Sequence, residues 1–499
     1  MSVATELQRI IDAKADLKTA IEAKGVTVSS SALIDDYADY VDAIPSGGVK
    51  VEEKLLNFYD YEGTLVASYD GSEIAGLTAL PSAPDHSTDD VPLTFDGWNW
   101  TLAKIQAYHT NYPDAFIIVG ANYHTTDGKT HILFEIPEND TTGVRLNLYY
   151  AATGTVDWGD GITDAISGGN ITHIYQNAGT YHCKVEVVSN EVGAGANNNN
   201  LIPLARKVIR VWLASSVSQI GIWRYCINLK SISIPSSIGE YHEYSLQRCN
   251  NLECIVLPDS FISDNSGTSA FQRCYNLMVL SYPDNRRAFQ AGNETDCYSL
   301  KYLTVPSEVT WVNYGANLYS LRQITLPAGI TSLYSSAFSG AISLESASLD
   351  KCTSYTGASD GTQAFYNCYN LVSCKLPSSL TKIPYGFFTN CYSLTNVNIP
   401  NGVTTIDNSA FSSCYSLSEI EIPSSVTSIV NNAFQNCSGL LSITVKATTP
   451  PTLGNTTALP TNTGMKIYVP YSADHSILDA YKGATNWSNF ASYMEELPE

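Results

Sequence analysis

A slot for cysteine returns at a nearly constant interval through the back half of this chain. Cys226, Cys249, Cys274, Cys297, Cys368, Cys391, Cys414 and Cys437 hold it, and Leu318 and Ala341 fill its two gaps. The ten positions are spaced 23, 25, 23, 21, 23, 27, 23, 23 and 23 residues apart. In a chain of 499 residues such a period constrains the fold more than composition does. Each repeat is one coil of a solenoid that cannot close a core alone and is completed by its neighbours. The unit is plainest in Cys391-Tyr392-Ser393-Leu394-Thr395-Asn396-Val397-Asn398-Ile399-Pro400 and in Cys414-Tyr415-Ser416-Leu417-Ser418-Glu419-Ile420-Glu421-Ile422-Pro423. Each continues into a turn such as Val426-Thr427-Ser428-Ile429 and a pair such as Ala433-Phe434.

One coil explains the pattern. Leu and two Ile at alternating positions face inward from a short strand, Pro ends the strand, and Phe and Cys fill the opposite wall. With strands about 4.8 Å apart, ten coils make a stack of roughly 45–50 Å with one continuous concave sheet. The twelve cysteines show no CxxC or Cys/His spacing suited to zinc. Because Leu and Ala substitute in the slot, it asks for a small apolar group, and buried free thiols are expected rather than disulfides.

Ahead of the repeats, residues 1–48 read as two helices. Thr5-Glu6-Leu7-Gln8 fits a capping box, Leu7, Ile10, Leu17 and Ile21 form an apolar seam, and Gly25 ends the first helix. So short a pair either packs as a hairpin or trimerises. Residues 49–127 alternate strand-like runs with turns and read as a small β-rich domain. Phe116–Val119 and His131–Phe134 flank Asp127-Gly128, a hairpin signal. Residues 128–192 read as a sandwich, with strands at 144–149, 155–158 and 181–187. Residues 193–202, rich in Gly and Asn, read as a linker, 203–446 as the repeats and 447–499 as a polar C-terminal cap.

Three resemblances follow from these residues. Asp157-Trp158-Gly159-Asp160-Gly161, with His173-Ile174-Tyr175 and Gly179-Thr180-Tyr181, resembles the polycystic-kidney-disease (PKD) immunoglobulin-like domain, whose members are usually spacers or binding modules without catalysis. The repeats, with Ile467-Tyr468-Val469-Pro470 and Asn486-Trp487-Ser488 at their end, resemble the BspA-like leucine-rich repeats of bacterial surface proteins. The front of the chain is similar to bacteriophage and prophage tail proteins in Ile21–Val28, in Phe58–Thr64 with Gly97-Trp98-Asn99-Trp100, and in Tyr123–Thr130. Together they imply a mainly β protein: a short N-terminal helical module, small β domains including a PKD-like sandwich, and a C-terminal leucine-rich-repeat solenoid of about ten coils.

Charge bears on function. The net charge is −21, and residues 1–200 carry 28 acids against 10 bases while the rest carries 20 against 17. With no basic stripe to neutralise phosphates, nucleic acid is not an expected partner, and no apolar run is long enough to span a membrane. Charges throughout the first 24 residues leave no visible secretory signal, which fits a virion protein made in the host cytoplasm better than an exported adhesin. The scattered histidines form no HExxH and no P-loop is present, so no catalysis and no cofactor are expected. Asp157, Asp160 and Asp164 are of the type that binds calcium, but they miss the EF-hand spacing, and turn capping is their ordinary role.

The candidate binding residues come from the repeat. Tyr275, Tyr298, Tyr319, Tyr369, Tyr392 and Tyr415 each follow the slot, so stacking lines them into an edge that either staples coils together or receives sugar rings or a protein receptor. Asn396, Asn398, Glu419 and Glu421, with Ser373 and Lys375, belong to the expected concave face. The expectation is a tail-associated protein that binds a bacterial surface protein or glycan through its repeats, contacts other tail or baseplate proteins through its N-terminal module, and forms a homotrimer by analogy with tail fibres. The alternative is a bacterial cell-surface adhesin.

Overall fold

The computed structural model describes residues 54–499 apart from 149, 189–190, 196–201, 242–243, 262–268, 285–295, 313–316 and 353–361. The N-terminal helical module expected over 1–48, and with it the trimer seam, lies outside the described residues. The remainder, from Leu55 to Glu499, forms one compact unit.

Its first part is a four-stranded sheet. Strands β1 (Leu56–Tyr59), β2 (Leu65–Tyr69), β3 (Leu93–Trp98) and β4 (Ile117–Thr125) lie in the order β2-β1-β4-β3, with β1 and β4 parallel. A helix that the strand-like reading missed, Leu102–Asn111, starts where the Thr101 hydroxyl accepts the Lys104 amide at 3.3 Å. Its Ile105 and Tyr108 pack with Trp100, Phe58 and Val119 in the core beside the sheet.

The hairpin expected around Asp127-Gly128 does not form. The turn is present, with Gly128 at φ +71° and the Lys129 amide held by Asp127 at 3.0 Å, but the strands it joins diverge into different sheets. β4 is taken by β1 and β3, while β5 (Thr130–Ile136) is paired with strands from later in the chain. Tertiary pairing overrides the local turn signal.

Residues 130–193 fold into two facing sheets. Their strands are β5, β6 (Val144–Leu148), β7 (Thr153–Asp157), β8 (Thr163–Ser167), β9 (Asn170–His173), β10 (Gly179–Val188) and β11 (Glu191–Gly193). The Trp-Gly-Asp-Gly turn is an interlocked cluster. The Trp158 indole is buried, donates to Asp164 at 2.8 Å and stacks on His173 at 4.8 Å. His173 in turn meets Asp160 at 2.8 Å, and the Tyr175 hydroxyl donates to the Trp158 carbonyl at 2.9 Å. Asp157 accepts the Gly159 amide at 3.0 Å. All three aspartates are thus engaged locally, and no group of three or more His, Cys, Asp or Glu side chains placed to hold a metal occurs among the described residues.

Both sheets of this sandwich run on into the repeats. β5 pairs with β12 (Val208–Trp212), which pairs with β14 (Ser231–Ser233). β11 pairs with β13 (Gln219–Ile220), which pairs with β15 (Glu240–Tyr241). Gly193, Gly195 and Gly221 allow this approach. A Cβ on Gly193 would sit 2.5 Å from the Ile222 carbonyl oxygen, and one on Gly195 would sit 2.3 Å from the Arg224 nitrogen. One hydrophobic core therefore extends from Ile132 to Met494.

The solenoid that follows makes about 11 turns and is parallel throughout. In place of one continuous sheet, its long strands form segments, among them Cys254–Val256 with Val279–Ser281 and Glu419–Ile422 with Ser442–Val445. Beyond the last cysteine slot, Lys466–Val469 and Met494–Glu496 extend the ladder. Over its end, the Tyr481 hydroxyl donates to the Ala447 carbonyl at 2.8 Å, and the Trp487 indole to the Pro451 carbonyl at 2.7 Å.

All twelve cysteines are free and buried. The slot is more than apolar filling. Cys391 donates to the Phe365 carbonyl at 3.2 Å, Cys414 to Phe388 at 3.3 Å and Cys437 to Phe411 at 3.0 Å, each a carbonyl of the preceding coil. The thiol satisfies a buried backbone acceptor that an apolar side chain in the slot could not reach. The residue before the slot also adopts a left-handed backbone, as in Asn317, Asn367, Asn390, Ser413 and Asn436. This accounts for the frequent asparagine there.

Candidate functional site

Residues along each long strand alternate between core and surface, so outward side chains form rows across the coils. One row runs through Ser346, Ser373 and Asn396, and its continuation through Glu419, Ser442 and Lys466. The row two residues along runs through Ser348 and Lys375, then Glu421, Thr444, Tyr468 and Glu495. Asn398 stands one period before Glu421. The expected concave-face residues therefore do fall on one surface.

Half of that surface is occupied. The first β sheet lies against the early coils, and its polar side chains bond to their strands. Asn99 donates to the Leu257 carbonyl and the Ser281 hydroxyl, both at 2.9 Å, and Asn122 to the Ile234 carbonyl at 2.9 Å. The Trp100 indole donates to the Tyr282 carbonyl at 2.6 Å, and the Tyr108 hydroxyl to the Val305 carbonyl at 2.8 Å. Gly120 is pressed so close to Val256 that a Cβ there would lie 2.4 Å from both its methyl groups. Ser233, Ser281 and Thr304 are buried in consequence. Asp114 marks the rim, where its carboxylate meets Lys375 at 3.1 Å.

Past that rim the face is open. Ser373, Asn396, Asn398, Glu419 and Glu421 are exposed. Glu421 is paired with Lys446 at 3.2 Å, whereas Asn396, Asn398 and Glu419 have no side-chain partner among the described residues. Such an uncommitted surface of donors and acceptors is available to a ligand without first breaking internal bonds.

The tyrosines do stack, as two groups of three. Tyr275, Tyr298 and Tyr319 have centroids 5.0 and 4.6 Å apart, and Tyr369, Tyr392 and Tyr415 have centroids 4.8 and 4.9 Å apart, all nearly parallel. Ile342, 38% exposed, interrupts them. Tyr415 ends its group 44% exposed, beside a shallow recess lined by Gln435, Asn436, Thr457, Pro460 and Asn462.

A second ladder, of phenylalanines, lies inside: Phe365, Phe388, Phe411 and Phe434 are fully buried and stack at 5.8, 5.3 and 5.1 Å. The two ladders should behave differently. Phe388→Ala is expected to cost about 3–5 kcal/mol in chemical denaturation, and Tyr392→Ser only about 0.5–1.5 kcal/mol per ring contact. Equal losses would make the tyrosines structural staples.

A model of the BspA type leucine rich repeat region matches this chain in six copies, over residues 207–320, 296–360 and 313–441. The array over 207–441 is built of BspA-type leucine-rich repeats. Among solved structures, a leucine-rich repeat protein from Bacteroides ovatus is 23% identical, with 57% of this chain and 77% of that one covered and a TM-score of 0.43. A leucine rich cell surface protein from Faecalibacterium prausnitzii is 23% identical, with 51% and 90% covered and a TM-score of 0.24. A pneumococcal vaccine antigen is 14% identical, with 63% and 96% covered and a TM-score of 0.28. Comparison with curated proteins found no match.

The sequence reading missed which coils stay open, since nothing in the repeat reports what docks on it. It also missed a group of arginines and tyrosines on the first coils, whose members lie in adjacent repeats.

Proposed function

We propose that this is a non-enzymatic receptor-binding protein of a bacteriophage or prophage tail, and that the open coils of its BspA-type repeats recognise a bacterial surface protein or glycan. The observation that carries this reading is the uncovered face over Ser373–Glu421, where Asn396, Asn398 and Glu419 are uncommitted and the Tyr369–Tyr415 edge belongs to the same coils. Solenoids bind through such extended surfaces. The PKD-like sandwich acts as a rigid brace rather than a hinged spacer. The helical module attaches the protein to tail or baseplate partners and gathers three copies, which multiplies weak individual contacts. The protein is made in the host cytoplasm and resides in the virion. A cell-surface adhesin is the second reading, favoured by the repeat type alone.

The test is adsorption of the full chain to host cells. Replacing Asn396, Asn398 and Glu419 with Ala should reduce it at least tenfold while thermal melting is unchanged. Substituting Tyr369, Tyr392 and Tyr415 by Ser assigns the edge. Unaltered adsorption in both folded variants rejects the open coils as the receptor site. Absence of the chain from purified virions by mass spectrometry rejects the tail assignment and leaves the adhesin.

A further inference from the structure

We infer that the first two coils carry a separate binding site for acidic polymers, formed by Arg224 and Arg248 stacked on Tyr225 and Tyr244. The Arg224 guanidinium carbon lies 4.9 Å from the Tyr225 ring centroid and 4.6 Å from that of Tyr244. Arg248 lies 5.3 Å from the Tyr225 centroid. One ring is thus shared by two cations, which places them no more than about 10 Å apart, each within the range of a cation–π contact.

Charge makes this arrangement unusual. The chain as a whole is at −21, yet residues 201–250 hold six basic residues against Glu240 and Glu243. Two of the six are neutralised internally, Lys207 by Asp140 and Arg210 by Glu62. Among the described residues, no carboxylate pairs with Arg224 or Arg248. The Arg224 Nε is buried without an acceptor, a donor that folding leaves unmet. Two like charges held close repel each other, and a bound anion relieves both.

The stacking also selects the ligand class. A guanidinium whose faces lie on aromatic rings keeps its N–H groups in its own plane, where they match the two oxygens of a carboxylate or a phosphodiester. The ligand is therefore an acidic polymer whose repeating units bear such groups. The site needs nothing from Ser373–Glu421, so it stands or falls independently of the proposed receptor face.

Binding of the full chain to polygalacturonate, to poly(glycerol phosphate) and to neutral dextran tests this by calorimetry at 50 and 500 mM NaCl. One or both acidic polymers should bind and dextran should not, with affinity falling at least tenfold at the higher salt. A preference between the two identifies carboxylate or phosphodiester as the natural group. R224Q/R248Q should lose at least tenfold in affinity. R224K/R248K, which keeps the charge without the planar fork, should fall between. Should the double variant melt early, Arg248→Gln alone must still weaken binding. The proposal is overturned if neither polymer binds at 50 mM NaCl, or if the folded Arg variants bind as the parent does.

Discussion

A chain beginning at residue 203 is expected to aggregate or to lose cooperative melting, although it keeps every repeat. In the intact protein β12 is covered by β5, with Val211 opposite Ile132 and Trp212 opposite His131, and β13 is covered by β11. Cutting there strips cover from Val208, Val211, Leu213, Ile220 and Trp223, all fully buried. At about 1.5–3 kcal/mol for each side chain returned to water, the loss approaches 10 kcal/mol, comparable to the total stability of an ordinary domain. It also leaves two open strand edges, which template pairing between copies. Light scattering and circular dichroism on residues 203–499 against 54–499 give the answer. A monodisperse shorter chain with an unchanged melt would mean that the repeats cap themselves. For the same reason, loss of adsorption on removing the front of the chain would say nothing about where a receptor binds.

Mildly alkaline solution is expected to unfold the protein. Burial raises the pKa of eleven thiols, Cys352 and Cys437 to about 12 and the others in the same direction. A thiol whose folded pKa lies above its unfolded value of about 8.5 stabilises the fold fully below that value, and the contribution is lost as pH rises toward the folded pKa. About one unit above 8.5, each such thiol has forfeited on the order of 1 kcal/mol, and the group together an amount on the order of the whole stability of an ordinary domain. The transition should fall between about pH 9 and 10 under reducing conditions and release several protons at once. Replacing Cys368, Cys391, Cys414 and Cys437 by Ala should lower the number released. A transition releasing a single proton, or native thiols that react with a maleimide at pH 7 as fast as unfolded ones, would refute the argument.

These two results separate what was legible from what was not. The cysteine slot and the tyrosine after it recur along the chain, and a parallel ladder puts equivalent positions of successive coils side by side, so period alone predicts stacking. The outward parity of Asn396, Asn398, Glu419 and Glu421 follows from alternation within a strand in the same way. Asparagine before the slot was a readable sign of left-handed backbone that the spacing analysis passed over. The thiol-to-carbonyl bonds were not readable, because Leu318 and Ala341 in the same slot point to packing alone.

The amino-acid sequence by itself determined the solenoid, its pitch, its inward and outward positions and the residues of its two aromatic ladders, because each depends only on residues one period apart. Tertiary structure decided the rest. Asn99, Asn122 and Trp100 meet strands more than a hundred positions away, and no local pattern encodes such a distance. That docking determines which coils are covered and which remain open. Likewise, the turn at Asp127-Gly128 is locally suited to a hairpin, and only the competing partners of β4 and β5 turn it into the junction between two sheets. Whether a surface row becomes an interface or a binding face depends on what packs against it, and packing is a property of the folded chain as a whole.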